Sequence, residues 1–145
     1  DSLGRIAMSS KLEGYIIGHA LQPLMRLLLR GESLGAASAA KALGEIGDPS
    51  AGDVLIQVLE TRRKWWQIRK NAAIALGLIG EKKAIKPLIN ALQDRYSPDI
   101  RIGAAESLSK LGDTTAIEYL EVLKDDENIN VRIAGESAIK SLQNK

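Results

Sequence analysis

The densest group of chemically capable side chains is Thr61-Arg62-Arg63-Lys64-Trp65-Trp66-Gln67, three cations followed by the two tryptophans of the chain. Guanidinium and ammonium groups grip phosphates and carboxylates, while indole faces stack on bases or fill the pockets that anchor a protein partner. Other chemistry is scarce. Without cysteine the chain has no thiol nucleophile, no disulfide and no thiolate metal site. A single histidine, His19, leaves no His-rich metal site and argues against Ser-His-Asp catalysis. Asp125-Asp126-Glu127 lacks the spacing of a calcium loop and reads as a solvated turn. Gly-rich phosphate motifs are absent. The expectation is therefore no catalytic residue, no metal and no cofactor.

The cluster lies in a basic stretch. Between residues 60 and 86, Arg62, Arg63, Lys64, Arg69, Lys70, Lys82, Lys83 and Lys86 face only Glu60 and Glu81, although the whole chain carries a net charge of just +2. Residues 113–145 are acidic in balance. Such asymmetry steers a polyanion or an acidic protein; a solvated surface is the plain alternative. A chain of 145 residues, 45% apolar, is one domain able to bury a core. With no Phe, that core must be Leu, Ile and Ala, the filling of packed helices. No apolar run approaches the roughly 18 residues of a membrane span. No signal peptide is evident, so a cytoplasmic location is expected.

The elements that position the cluster repeat. LGEIGDPSA (43–51), LGLIGEKKA (76–84) and LSKLGDTTA (108–116) align without gaps. Ahead of the second and third come Arg69-Lys-Asn-Ala-Ala-Ile-Ala-Leu76 and Arg101-Ile-Gly-Ala-Ala-Glu-Ser-Leu108, with Arg132-Ile-Ala-Gly-Glu-Ser-Ala-Ile139 as a further copy. The same slot in the first full repeat holds Ala36. Leu21-Gln-Pro-Leu-Met-Arg-Leu-Leu28 matches Ile85-Lys-Pro-Leu-Ile-Asn-Ala-Leu92. Agreement of independent positions on one period signals a repeat architecture.

Each unit reads as two helices. A shorter one carries Leu or Ile at helical spacing, and a longer one carries a stripe such as Ile100, Ala104, Leu108 and Leu111. Gly47, Gly80 and Gly112 stand where a helix C-cap needs positive φ. Ser97-Pro98 and Asn128 are good helix starts. The spacing predicts nine helices near 2–17, 20–30, 34–46, 51–61, 65–79, 84–93, 98–111, 114–124 and 129–142. His19 falls between the first two. In the basic repeat the turn is one residue longer than its counterparts, and Trp65 occupies the capping slot of Ser97 and Asn128. Trp cannot cap. If Thr61 caps instead, three cations crowd the positive end of a helix dipole, an unfavourable arrangement that hints at use.

The pattern L-x-x-(I/L)-G-(D/E), followed by Ala-Ile-x-x-Leu and, after a polar turn, by (I/V)-R-x-x-A/G, resembles the HEAT-like repeat of the phycobilin-lyase type. The resemblance covers residues 19–145 as four units (19–47, 51–80, 84–112 and 116–144), with a half repeat at 2–17. It implies an all-α fold: a right-handed α-solenoid of stacked antiparallel helix pairs, about four and a half repeats in one domain. It also implies that the arginines at 5, 69, 101 and 132, with Gln67, Asp99 and Asn130 beside them, form a structural ladder between units.

The half repeat, rich in Leu3, Ile6, Ile16 and Ile17, lacks an obvious polar cap. The chain is accordingly expected to be part of a longer protein, or to make a contact through its N-terminal face. The leading functional expectation is a non-enzymatic protein-binding scaffold of unidentified partner, because stacked helix pairs make an extended concave surface. In this repeat type the second helices line it, which nominates Lys70, Ile74 and Leu78, then Ile102, Glu106 and Lys110, then Ala37, Lys41 and Glu45. With Arg62, Arg63, Lys64, Trp65 and Trp66 these are the candidate binding residues. The alternative is a nucleic-acid-binding solenoid, which requires the cations to form one patch. A bilin lyase subunit is the third reading, resting on resemblance alone.

Overall fold

In a computed structural model the chain is described over residues 2–145, with side chains from residue 10. Arg5, Leu3 and Ile6 therefore lie outside the described side chains. The helices are α1 (Ser2–Arg30), α2 (Leu34–Ile46), α3 (Gly52–Glu60), α4 (Trp66–Ile79), α5 (Ile85–Ala91), α6 (Pro98–Leu111), α7 (Ile117–Leu120) and α8 (Ile129–Gln143). No strand occurs among the described residues. Successive helices pair as hairpins, and α2, α4, α6 and α8 pack in that order into one layer, with α3 and α5 in contact in the other. This is the expected α-solenoid.

The glycine-to-alanine motif builds the joint between units. Gly47, Gly80 and Gly112 take φ of 76°, 79° and 75°, and each donates its N–H to the carbonyl four residues back, closing the preceding helix. Asp48, Glu81 and Asp113 then accept the N–H two residues on, opening short 3-10 turns at Pro49–Ala51, Lys82–Ala84 and Thr114–Ala116. Each turn ends on a fully buried alanine, Ala51, Ala84 or Ala116. Leu28, Leu43, Leu59, Leu76, Leu92, Leu108 and Leu111 are buried as expected, while Ile46 and Ile79 are half-buried.

Small residues set the spacing inside the second-helix layer. A Cβ on Gly44 would fall 2.8 Å from Ala75 Cα, and one on Gly77 would fall 2.8 Å from Ser107 Cα. At such closeness side chains reach the neighbouring backbone: Asn71 donates to the Ala37 carbonyl at 2.8 Å and Ser107 to that of Ala73 at 2.6 Å.

The first helix departs from expectation. The spacing predicts two helices at 2–17 and 20–30; α1 instead runs unbroken, which makes eight α-helices among the described residues, and His19 lies inside it, its Nδ1 2.9 Å from the Tyr15 carbonyl oxygen. The physical reason is a missing stop: Gly14 and Gly18 are not among the glycines with positive φ, and no Gly-Asp/Glu joint intervenes. Leu21, Met25 and Leu28 face the core, whereas Leu12, Tyr15, Ile16 and Ile17 are exposed.

Candidate functional site

The turn that joins α3 to α4 does not take the expected form. Thr61 closes α3, its hydroxyl donating to the Gln57 carbonyl at 2.7 Å, and does not open α4. Trp65 stands at the N-cap of α4 without a side-chain capping bond. Arg62, Arg63 and Lys64 consequently lie in the turn ahead of the helix, and the dipole conflict does not arise.

Nor are the three cations alike. Arg62 and Arg63 are exposed, but Lys64 is buried. Its Nζ donates to the carbonyls of Leu29 and Gly31 at 2.8 Å each and pairs with Glu32 at 3.1 Å. Lys64 thus satisfies orphan carbonyls at the C-terminal end of α1, a structural duty. It is not available as a binding cation. Trp66 is half-buried against the core, and Trp65 is 39% exposed.

The recurring arginines build the expected ladder, with other acids. Arg69 donates Nε to Leu59 O at 2.9 Å and pairs with Asp94 at 2.6 Å, both side chains almost fully buried. Arg101 donates to Asp94 O at 2.7 Å and holds both carboxylate oxygens of Asp126, at 2.8 and 3.1 Å. Arg132 donates to Asp126 O at 2.5 Å. Each buried arginine therefore bonds a carbonyl of its own unit and the aspartate of the next. Asp99 makes no ion pair among the described residues, and Asp126 is no solvated turn residue. Their carboxylates also order the turns: Asp94 accepts the N–H groups of Tyr96 and Ser97, and Asp126 that of Asn128. The signal was present in the sequence, since Asp94 and Asp126 stand seven and six residues before Arg101 and Arg132.

Among the second-helix residues, Ile102, Glu106 and Lys110 come together and line a groove of about 530 Å³ with Asn130 and Ile133 of α8. Lys70 and Ile74 are half-buried on α4, and Leu78, Lys41 and Glu45 are exposed. Ala37 is buried and belongs to the core. A larger depression, about 810 Å³, opens at the other layer along the ends of α3, α5 and α7, lined by Arg62, Asn90, Arg95, Tyr96 and Tyr119 over Arg69. Sequence reasoning missed it, because its residues come from first helices and turns.

The cations do not form one patch. Arg62 and Arg63 precede α4, whereas Lys82 and Lys83 follow it; its 14 residues separate them by about 20 Å. Lys82 is further engaged with the Leu111 carbonyl. The nucleic-acid reading loses the surface it required.

A solenoid of glycine-jointed helix pairs with an internal arginine ladder is a helical-repeat protein, and comparison assigns the class: the HEAT repeats family matches residues 61–140, and the PBS lyase HEAT-like repeat matches residues 36–61. The chain belongs to the HEAT repeat family. Among relatives, it is 47% identical over 60 residues to the phycocyanobilin lyase subunit alpha of Picosynechococcus sp., covering 40% of this chain and 21% of that protein. To the subunit alpha of Microchaete diplosiphon it is 47% identical over 73 residues, 45% of this chain and 25% of that one. A HEAT repeat-containing taxis protein of Halobacterium salinarum is 32% identical over 113 residues, 78% of this chain and 27% of that protein. The chain thus spans between about a fifth and just over a quarter of these relatives' length.

Two solved structures share the fold. Human deoxyhypusine hydroxylase in complex with glycerol superposes with a TM-score of 0.71 at 24% identity, covering 92% of this chain and 46% of that one. The complex of CpcE and CpcF of phycocyanin lyase from Nostoc sp. gives 0.60 at 23% identity, covering 86% and 65%. The lyase relatives overturn the expectation of a non-enzymatic scaffold: segments 40–47% identical to this chain belong to subunits of phycocyanobilin lyases. No helix among the described residues is long and apolar enough to cross a membrane.

Proposed function

We propose that this chain is a segment of a bilin-lyase-type HEAT-repeat subunit, which acts on phycocyanobilin or a closely similar open-chain tetrapyrrole. The observation that carries the reading is 47% identity to two phycocyanobilin lyase alpha subunits. A second HEAT-repeat subunit is the partner this reading favours, since the phycocyanin lyase of like fold is a complex of two chains. That partner also gives a role to exposed apolar side chains such as Ile129, Ile133 and Leu78.

The test is a graft. Residues 36–140 replace the matching repeats of a phycocyanobilin lyase alpha subunit, and the chromophore carried by phycocyanin is measured after reaction. Retention of at least a tenth of the parental rate supports the reading. A folded chimera that still assembles with its second subunit but leaves chromophore unchanged overturns it.

A further inference from the structure

The depression at the ends of α3, α5 and α7 has features that the solenoid itself does not need. Arg62 and Arg95 line it, each three residues after a buried leucine at the C-terminal end of a first helix, Leu59 inside α3 and Leu92 just past α5. Both are exposed, and neither makes a hydrogen bond or ion pair among the described residues. Occupying equivalent places in adjacent units, their backbones are separated by about one interhelix spacing, roughly 10 Å. Tyr96, 74% exposed, and Tyr119, 44% exposed, add two aromatic faces.

The floor supplies an independent observation. Arg69 is only 4% exposed, yet it lines the depression. It spends Nε on Leu59 O and one terminal nitrogen on Asp94. Its other terminal nitrogen has no hydrogen-bond partner among the described residues. An arginine that lines a cavity with one donor left over from its pairing with Asp94 can give that donor to an anionic oxygen.

We infer that this depression holds the bilin, with the two propionates of an open-chain tetrapyrrole paired to Arg62 and Arg95 and its ring faces against Tyr96 and Tyr119. The inference rests on the lyase reading for the identity of the ligand. Its own content is the place. A volume of about 810 Å³ suits a ligand of this class, within the roughly 300–1,000 Å³ of small-molecule sites. Two carboxylates on neighbouring pyrroles match two cations one repeat apart, and flat conjugated rings match exposed phenols. The tryptophans provide a reporter: Trp65 ends the turn that carries Arg62 and Trp66 opens α4, and tryptophan emission overlaps the near-ultraviolet absorption of bilins.

The 145-residue chain is titrated with phycocyanobilin while tryptophan emission and the visible band of the chromophore are followed. Arg62→Gln/Arg95→Gln is compared with Lys83→Gln/Lys86→Gln, which removes equal charge from exposed residues of the Lys82–Ala84 turn and α5. The expected result is saturable quenching in the parent, a Kd weakened by at least about tenfold in the arginine pair, and a change below about twofold in the lysine pair. Tyr96→Ala should weaken binding by a smaller factor without shifting the thermal midpoint. Binding that survives the arginine pair overturns this site and leaves the lyase reading standing. Equal loss in both pairs means diffuse charge attraction and also overturns the site. If the parent chain does not bind phycocyanobilin, the site falls, while the graft into a whole lyase subunit decides the lyase reading on its own.

Discussion

The turn at residues 61–65 and the turns that open α6 and α8 do the same job by opposite means. In the later turns an aspartate waits, and an arginine of the preceding unit reaches forward to it: Arg69 to Asp94, Arg101 to Asp126. At the first joint the arginine slot holds Ala36, fully buried, and Gly31 approaches it so closely that a Cβ there would lie 2.8 Å from the Ala36 Cβ. No long side chain fits between them. The cation instead comes from the later unit and reaches back, Lys64 to Leu29 O, Gly31 O and Glu32. The longer turn accommodates that reversal. What looked in the sequence like irregularity retained for a ligand is, at Lys64, the repair of a missing rung.

The largest effect should come from breaking a regular rung. Arg69→Ala leaves the Asp94 carboxylate buried and uncompensated, which costs about 3–5 kcal/mol. Urea denaturation measures it. A loss below about 1 kcal/mol would mean that water replaces the guanidinium and that the ladder is ornamental.

The reversed rung is worth less and can be turned round. Lys64→Ala strands two carbonyls and should cost about 1–3 kcal/mol. Ala36→Arg alone should also destabilise, through overpacking against Gly31, by about 1–3 kcal/mol. Ala36→Arg with Lys64→Asp recreates the ordinary direction of reach, and the double variant should be more stable than the sum of its parts by at least about 0.5 kcal/mol. Strict additivity would show that the two positions do not serve one joint.

Most of the fold was legible because it is carried by short-range patterns. The Gly-to-Ala joint, the leucine stripes and the Ser97 and Asn128 caps depend on residues within one turn of each other. The ladder was only half legible. Its arginines recur at fixed spacing, but Asp94 and Asp126 act across unit boundaries and were hidden among ordinary turn acids. Lys64 could not have been read at all, since its partners lie 33 and 35 residues away. The depression over Arg69 was missed for the same reason: it is made where three units meet, and no local motif marks it.

Two of the joints between units carry a carboxylate that the fold holds in its charged form. The Ser50 backbone N–H, then its side chain, hold the Asp48 carboxyl below its ordinary range, and the Thr115 hydroxyl, then its N–H, do so for Asp113. A carboxylate depressed in the folded state stabilises above its unfolded pKa, and the contribution is lost as pH falls through the folded value. The midpoint of denaturation should therefore begin to drop below about pH 4. Asp48→Asn and Asp113→Asn should flatten that drop. An acid limb unchanged in the double variant would place the sensitivity elsewhere.

The smallest effect on stability belongs to the two cations that the reversed rung leaves outside. Arg62 and Arg63 sit beside Lys64 in sequence, yet both are exposed and lie ahead of α4, so neither opposes its dipole. Removing them relieves no conflict and breaks no rung. Arg62→Ala/Arg63→Ala should keep its stability within about 0.5 kcal/mol of the parent, while Lys64→Ala, one residue on, should not. Thermal melts of the three variants side by side make the division inside a single turn visible. A clear rise on losing Arg62 and Arg63 would show that the cations do strain the helix start, and a clear fall would tie them to the joint. An unchanged melt, alongside altered ligand binding, would assign Lys64 to the scaffold and Arg62 to the surface that the scaffold presents.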